Sequence, residues 1–240
     1  MSRFIYLGKG SIFMKDRAGG NFLPVGNVPQ LSLSAEEVKT ELPDFENPGG
    51  GIVASVSRIS RVVATVTFND LRKSNLEFLL RGSSSSVTSS AVSGETHTSP
   101  GPGGYVKLDN MVDTSQTVTI TGLTAGSDFK VLRGGIYFPD TSSTNAGDTL
   151  SISYTSAAGS VVEALTAGGK EFTLVFDGLN EAESNRPVIV TLHRVKPAPF
   201  QNLSLIGEDF AAIDIEIDVL KDDAITGAGV SQYFKVEVAN

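Results

Sequence analysis

The stretch from Phe210 to Leu220, FAAIDIEIDVL, constrains the fold more than any other part of the chain. With a period of two, Ala211, Ile213, Ile215, Ile217 and Val219 fall on one face. Phe210, Ala212, Asp214, Glu216, Asp218 and Leu220 fall on the other. Strict alternation with β-branched residues on one side specifies a half-buried strand. The opposite face carries three carboxylates with no basic residue between them. Same-face neighbours on a strand lie about 7 Å apart, so these acids repel one another modestly when water bathes them. A strand with an apolar back and an unpaired acidic front is expected to face a wide aqueous space, such as the bore of a tube.

A chain of 240 residues buries a core as one large β domain or as one domain with an insertion. It has no cysteine, which excludes disulfide frameworks, thiolate zinc sites and cysteine nucleophiles together. The opening MSRFIYLGKGS holds an apolar run too short for a signal peptide, and no apolar stretch approaches a membrane span. Synthesis and folding in a cytosol are therefore expected. The net charge of −8 and pI near 4.8 oppose adhesive contact with nucleic-acid phosphates, though not DNA sliding past.

Along the chain, Phe4–Leu7 and Ser11–Lys15 read as short apolar pieces around Gly8 and Gly10. GKGS at Gly8–Ser11 lacks the earlier glycine and following helix of a phosphate loop, and a turn between two strands is expected there. A strand is expected from about Val28 to Lys39, leading into the acids Glu36, Glu37, Glu41, Asp44 and Glu46, opposed by Lys39 alone. Pro43, Pro48 and Gly49–Gly51 break regular structure before a long strand over Ile52–Phe68. The pair makes a long hairpin with an acidic tip, either a solvated loop or a contact surface. Asn69-Asp70 offers an N-cap, and LRKSNLEFLLR has helical spacing, with Leu71, Asn75, Phe78 and Leu79 on one stripe. A helix this short is marginal alone, so the stripe must pack on the sheet.

Ser83–Gly104 reads as a low-complexity surface excursion. Strands are expected at Tyr105–Leu108, Gln116–Thr121, Lys130–Leu132, Gly135–Phe138, Leu150–Thr155, Glu171–Asp177 and Val188–Val195, the pattern of an antiparallel sandwich or barrel. Ala157–Ala167 is open between strand and turn. A short piece at Leu203–Ile206 and a closing strand over Tyr233–Val238 complete the chain.

No catalytic or metal-binding constellation stands out, and no cofactor is expected. His97 lies in the Ser-rich excursion, and His193 alternates with Thr191 and Val195, where a partly exposed or satisfied histidine is the default. Neither has a nearby sequence partner that marks a metal pair or a Ser-His-Asp arrangement. Alternate acids such as Asp214, Glu216 and Asp218 can also ligate calcium or act as a glycosidase pair. Calcium needs about six to eight oxygens wrapped by a loop, and glycosidase carboxylates oppose each other across a cleft. A channel lining and a plain solvated face remain beside these.

Taken in order, GNVPQLSLS, the acidic hairpin, RVVATVTFNDLRKSNLEFLLRG, GGIYFPD…DTLSISYTS, the expected FDGLN turn with PVIVTLHRVKPAPF, and LIGEDFAAIDIEIDVLKD resemble the tail tube (major tail) proteins of long-tailed phages. Ser83–Gly104 has no counterpart among these motifs. The resemblance implies a single tail-tube-type domain over residues 1–240, with 83–104 an excursion and 105–200 a strand-rich middle region. The implied fold is mainly β with one helix, an antiparallel β-sandwich or half-barrel whose inner sheet closes into a β-barrel ring on oligomerisation. Six copies contributing about 24 strands make a barrel about 45–50 Å across at the backbone, wide enough for duplex DNA.

The resemblance further implies a non-enzymatic structural subunit. Asp214, Glu216 and Asp218 line the lumen; the hairpin with Glu36, Glu37, Glu41, Asp44 and Glu46 stacks rings; and Leu71, Phe78 and Leu79 pack an outer helix. Its partners are further copies, other tail proteins (tape measure, terminator, distal tail) and DNA passing without specific binding, with no membrane contact. Its location is the virion tail, assembled in the host cytoplasm. Two alternatives stay open: a carbohydrate- or cell-binding β-sandwich module, disfavoured by five tyrosines and no tryptophan, and a tube protein like those of type VI secretion.

Overall fold

The computed structural model describes residues 5–200, 202–203, 205–208 and 210–239. Among the described residues, the structure is mainly β with one α-helix, and its paired strands run antiparallel. The chain divides into two units, the first over Met1–Ser83 and Val162–Asn240 and the second over Ser84–Val161.

The first unit holds β1 (Gly8–Asp16), β2 (Leu23–Pro24), β3 (Gln30–Pro43), β4 (Ile52–Phe68), α1 (Lys73–Leu79), β13 (Phe172–Asn180), β14 (Arg186–Pro197), β15 (Ile213–Val219) and β16 (Phe234–Val238). Eight strands form one sheet in the order β2-β1-β13-β14-β15-β4-β3, with β16 also on β14. Strand β14 is the corner. Its first half pairs β16 through Val188–Leu192, and its last residues pair β15 through Val195–Pro197. A register shift opposite Phe172–Leu174 lies between these two partnerships, and such a bulge bends a strand. The sheet thus turns back over one core. Ile12, Met14, Phe172, Leu174 and Leu192 on one arm meet Val62, Ala64, Val66, Ile213, Ile215 and Ile217 on the other. It does not close: β1 and β3 line an open cleft of about 610 Å³.

The isoleucine face of β15 is buried as its alternation requires. Each fully buried side chain of this type contributes about 1.5–3 kcal/mol. The strand begins at Ile213, so Phe210 lies before it, exposed.

The helix is shorter than its spacing suggests. Asp70 Oδ1 accepts the Arg72 N–H at 3.2 Å, a local turn that delays the first helical residue to Lys73. Leu71 consequently lies outside the helix and is 36% exposed. Phe78 and Leu79 are fully buried as expected. Phe78 meets Phe172 edge-on at 4.9 Å and Phe68 at 5.9 Å.

Two expected turns are strand. GKGS belongs to β1, and Phe176–Asn180 belongs to β13. The glycines there serve close pairing: a Cβ on Gly10 would sit 2.3 Å from the Asp177 carbonyl oxygen. Around Leu203–Ile206, the described residues 203, 205 and 206 are not in a strand; Ser204 lies outside the described residues.

The second unit holds β5 (Ser83–Val87, beginning one residue before the boundary), β6 (Ala91–Thr98), β7 (Tyr105–Lys107), β8 (Thr119–Ile120), β9 (Lys130–Leu132), β10 (Gly135–Tyr137), β11 (Thr149–Thr155) and β12 (Gly159–Glu163, ending two residues past the boundary). Sheets β7-β10-β9 and β6-β11-β8 enclose Val106, Leu108, Phe129, Ile136, Phe138, Leu150, Ile152 and Tyr154, while β5 pairs β12. The Ser-rich stretch is therefore mostly strand, and most of its residues are exposed. Hydroxyls of the facing segment anchor its backbone: Ser156 Oγ accepts the Ser90 N–H at 3.0 Å, and Ser153 Oγ on β11 accepts the Gly94 N–H at 3.0 Å. Among the described residues, no helix is long and apolar enough to cross a membrane.

Candidate functional site

Strands β3, β4 and β15 build one polar face. Directly paired residues share a side of a sheet, so register alone assembles the rows. Gln30, Thr67 and Asp214 form one row, Ser32, Thr65 and Glu216 the next, and Ser34, Val63 and Asp218 the third. Glu36 and Arg61 follow. The opposite side of the same strands carries Leu31, Leu33, Ala64, Val66 and the β15 isoleucines, which belong to the core. The three predicted carboxylates therefore share one face, turned away from α1 and the core.

They are not unpaired. Arg61 donates from Nε to Asp218 Oδ1 at 2.9 Å and from an Nη to Glu216 Oε2 at 3.2 Å. The Asp218 hydrogen bond is the main reason the Arg61 guanidinium is raised above its ordinary value, with Glu216 adding to it. Thr67 Oγ1 donates to Asp214 Oδ1 at 2.5 Å. Lys196 on β14 pairs with Asp218 in register and so shares its side of the sheet. The face is acidic toward Asp214 and mixed in charge toward Asp218. The compensating bases come from other strands, so a reading of the acidic strand alone could not find them.

Beyond Glu36 the same two strands leave the sheet as a ribbon. A register shift between Glu36 and Glu37 marks its root, and from there both strands are exposed on both faces. Seven residues of β3, from Glu37 to Pro43, reach about 23 Å at strand rise. The pairs Val38–Arg58, Thr40–Val56 and Leu42–Ala54 share one side. Glu37–Ile59, Lys39–Ser57 and Glu41–Ser55 share the other. Val38, Leu42 and Val56 are 56%, 55% and 55% exposed, and Phe45 near the tip is exposed as well. This arm is amphipathic, which the count of acids conceals. Its alternation (Val38, Thr40, Leu42 against Glu37, Lys39, Glu41) was nevertheless legible in the sequence.

The predicted stacking acids divide among three roles. Glu36 belongs to the polar face, not the arm. Glu37 and Glu41 lie on the arm's charged side, where Glu41 meets Lys39 at 2.5 Å. Asp44 organises the tip by accepting from the Glu46 N–H at 2.8 Å, the Asn47 N–H at 3.1 Å and Asn47 Nδ2 at 2.8 Å. The Asn47 side chain first, then the two N–H groups, hold its carboxyl below the usual range. Glu46 stands exposed beside it.

His193 is partly exposed, as expected, although its Nε2 is buried with no hydrogen-bond partner among the described residues, and His97 Nε2 lies 2.6 Å from Glu95 Oε1.

A family model described as Protein of unknown function UCP028589 matches residues 5–237. The chain belongs to that family. The matched range runs through both units. No curated protein matches the chain.

Proposed function

We propose that this chain is the structural subunit of a phage tail tube, forming six-membered rings that stack into a hollow tube conducting DNA. The observation that carries the proposal is the arm: a long two-stranded ribbon, exposed on both faces, with an apolar side. Two paired strands in water are marginal, and an apolar face of this kind invites a partner surface. In a stacked tube the partner is the adjacent ring, and the arm spans the joint.

Ring closure accounts for two further features. Among the described residues, β2, β3 and β16 each pair with one neighbour and leave an edge, a hazard that lateral pairing with neighbouring copies removes. The inner wall of the closed barrel is then the β3-β4-β15 face. Its chemistry suits passage rather than capture. Asp214, Glu216, Asp218 and Glu36 repel phosphates, while the Arg61 guanidinium is already engaged by two carboxylates. Duplex DNA therefore meets no strong well along the wall, and counterions screen what remains over about 8 Å at physiological salt. Tape-measure, terminator and distal tail proteins are the expected neighbours at the tube's interior and ends, and the location is the virion tail.

The test is direct. The purified chain is concentrated, sedimented and imaged by negative stain, beside a variant lacking Glu41–Gly50. Rings and tubes are expected from the parent, and rings or monomers unable to elongate from the deletion. Tubes of normal length from the deletion variant refute the role of the arm, and monomers at every concentration from the parent refute the assembly.

A further inference from the structure

The second unit contains a side-chain cluster that the tube proposal does not use. Glu95 and His97 lie on β6, two residues apart and hence on one side of that strand. Asp109 follows β7 by two residues, in the other three-stranded sheet. One imidazole nitrogen of His97, a Glu95 carboxylate oxygen and an Asp109 carboxylate oxygen all lie within 4.8 Å of one another. The Glu95 side chain is only 10% exposed. A carboxylate so placed is costly to leave without a compensating positive charge.

Its hydrogen-bond partners are the Asp109 N–H at 3.0 Å, the Tyr154 hydroxyl at 2.6 Å and His97 Nε2 at 2.6 Å, none of them permanently charged.

We infer that Glu95, His97 and Asp109 form a binding site for a divalent transition-metal ion of the zinc class, which fastens the two sheets of the second unit together. One imidazole nitrogen and two carboxylate oxygens suit that class, and waters complete the shell. Ligand atoms about 2.1 Å from an ion stand about 3–3.5 Å from one another. His97 and Glu95 are already closer than that, and the exposed Asp109 side chain closes the set by turning about its own bonds. The proton that His97 Nε2 holds against Glu95 moves to Nδ1 or, from the imidazolium, to water.

Tyr154 is the orienting neighbour. Its hydroxyl donates to Glu95 Oε2 and accepts the Asn110 N–H at 3.3 Å, leaving Oε1 toward His97 and Asp109. The physical need is plain as well. A unit of this size has a modest core, and the chain has no cysteine with which to staple it.

The test uses the full chain, stripped with a chelator and titrated calorimetrically with zinc chloride and, separately, calcium chloride, with thermal unfolding followed in each condition. One zinc per chain is expected, together with a rise in unfolding temperature that calcium does not reproduce. His97→Gln is expected to weaken zinc binding by about tenfold or more. Asp109→Asn, at an exposed position and so safe for folding, is expected to weaken it too. The inference is overturned if zinc does not saturate the chain below about millimolar concentration, far weaker than structural zinc. It is overturned equally if both variants bind zinc as the parent does, or if calcium binds as tightly as zinc.

Discussion

Replacing Val38, Leu42 and Val56 together by threonine tests the arm most sharply. Threonine keeps the β-branched shape that strands favour, so the ribbon itself should persist. Each of these side chains leaves rather more than half its surface in water in the free chain. Full burial of such a side chain is worth about 1.5–3 kcal/mol, so covering the remaining half contributes about 0.8–1.5 kcal/mol each. The three together give about 2–4 kcal/mol per arm, an upper bound of the kind area arguments provide. At about 1.4 kcal/mol per factor of ten, the critical concentration for tube elongation should rise from about 30-fold to several hundredfold. The stability of the unassembled chain should move by less than about 0.5 kcal/mol per site, because each side chain lies mostly in water there and threonine keeps its branched contact across the ribbon. Pelleting of tubes across a concentration series reads the first quantity, and thermal melting of dilute chain reads the second. An unchanged critical concentration refutes the reasoning. So does a large fall in melting temperature, which would mean that the arm packs on its own chain.

Three other outcomes follow from the packing and the charges. Phe78→Ala empties the meeting point of Phe68, Phe78 and Phe172 and should cost about 3–5 kcal/mol, seen as a lower denaturation midpoint. Arg61→Ala should leave melting unchanged, since its carboxylate partners stay in water, yet shorten the dwell of DNA in assembled tubes at low salt. Acid should destabilise the first unit. The Arg17 hydrogen bonds hold Asp222 below its ordinary value, and those of Arg194 do the same for Glu171. The unfolded chain therefore binds more protons in that window. The contribution is complete above the unfolded carboxylate values near pH 4 and is lost as pH falls through the depressed folded ones. Urea midpoints between pH 3 and 6 should rise with pH, and Asp222→Asn should flatten part of that rise.

The parts that were legible in the sequence share one property: their pattern is local. Alternation fixed the buried side of β15 residue by residue, and β4 runs over Ile52–Phe68 as expected. The compensation of Glu216 by Arg61 joins residues 155 positions apart and depends on a register between strands, which no local period reports. Composition concealed regular structure at Ser83–Gly104, where serine and glycine suggested an excursion. Hydroxyls bonded to backbone N–H groups, and a pairing partner in β11, make strands of it instead. The helix start went astray because Asp70 spends its carboxylate on a turn to Arg72 rather than on a cap. His97 had its partner in plain view at Glu95, but Asp109 is brought to them only by the fold.

Access to position 214 decides most directly whether the acidic face is a bore. The chain has no cysteine, so Asp214→Cys introduces a single thiol on that face without competing sites. Assembled tubes are exposed to a small maleimide and, separately, to a maleimide carried on a particle wider than the bore. The small reagent is predicted to label tubes and dissociated chain alike, and the bulky one to label only the dissociated chain and the tube ends. Bulky labelling along intact tubes, or a chain that never assembles, contradicts the account.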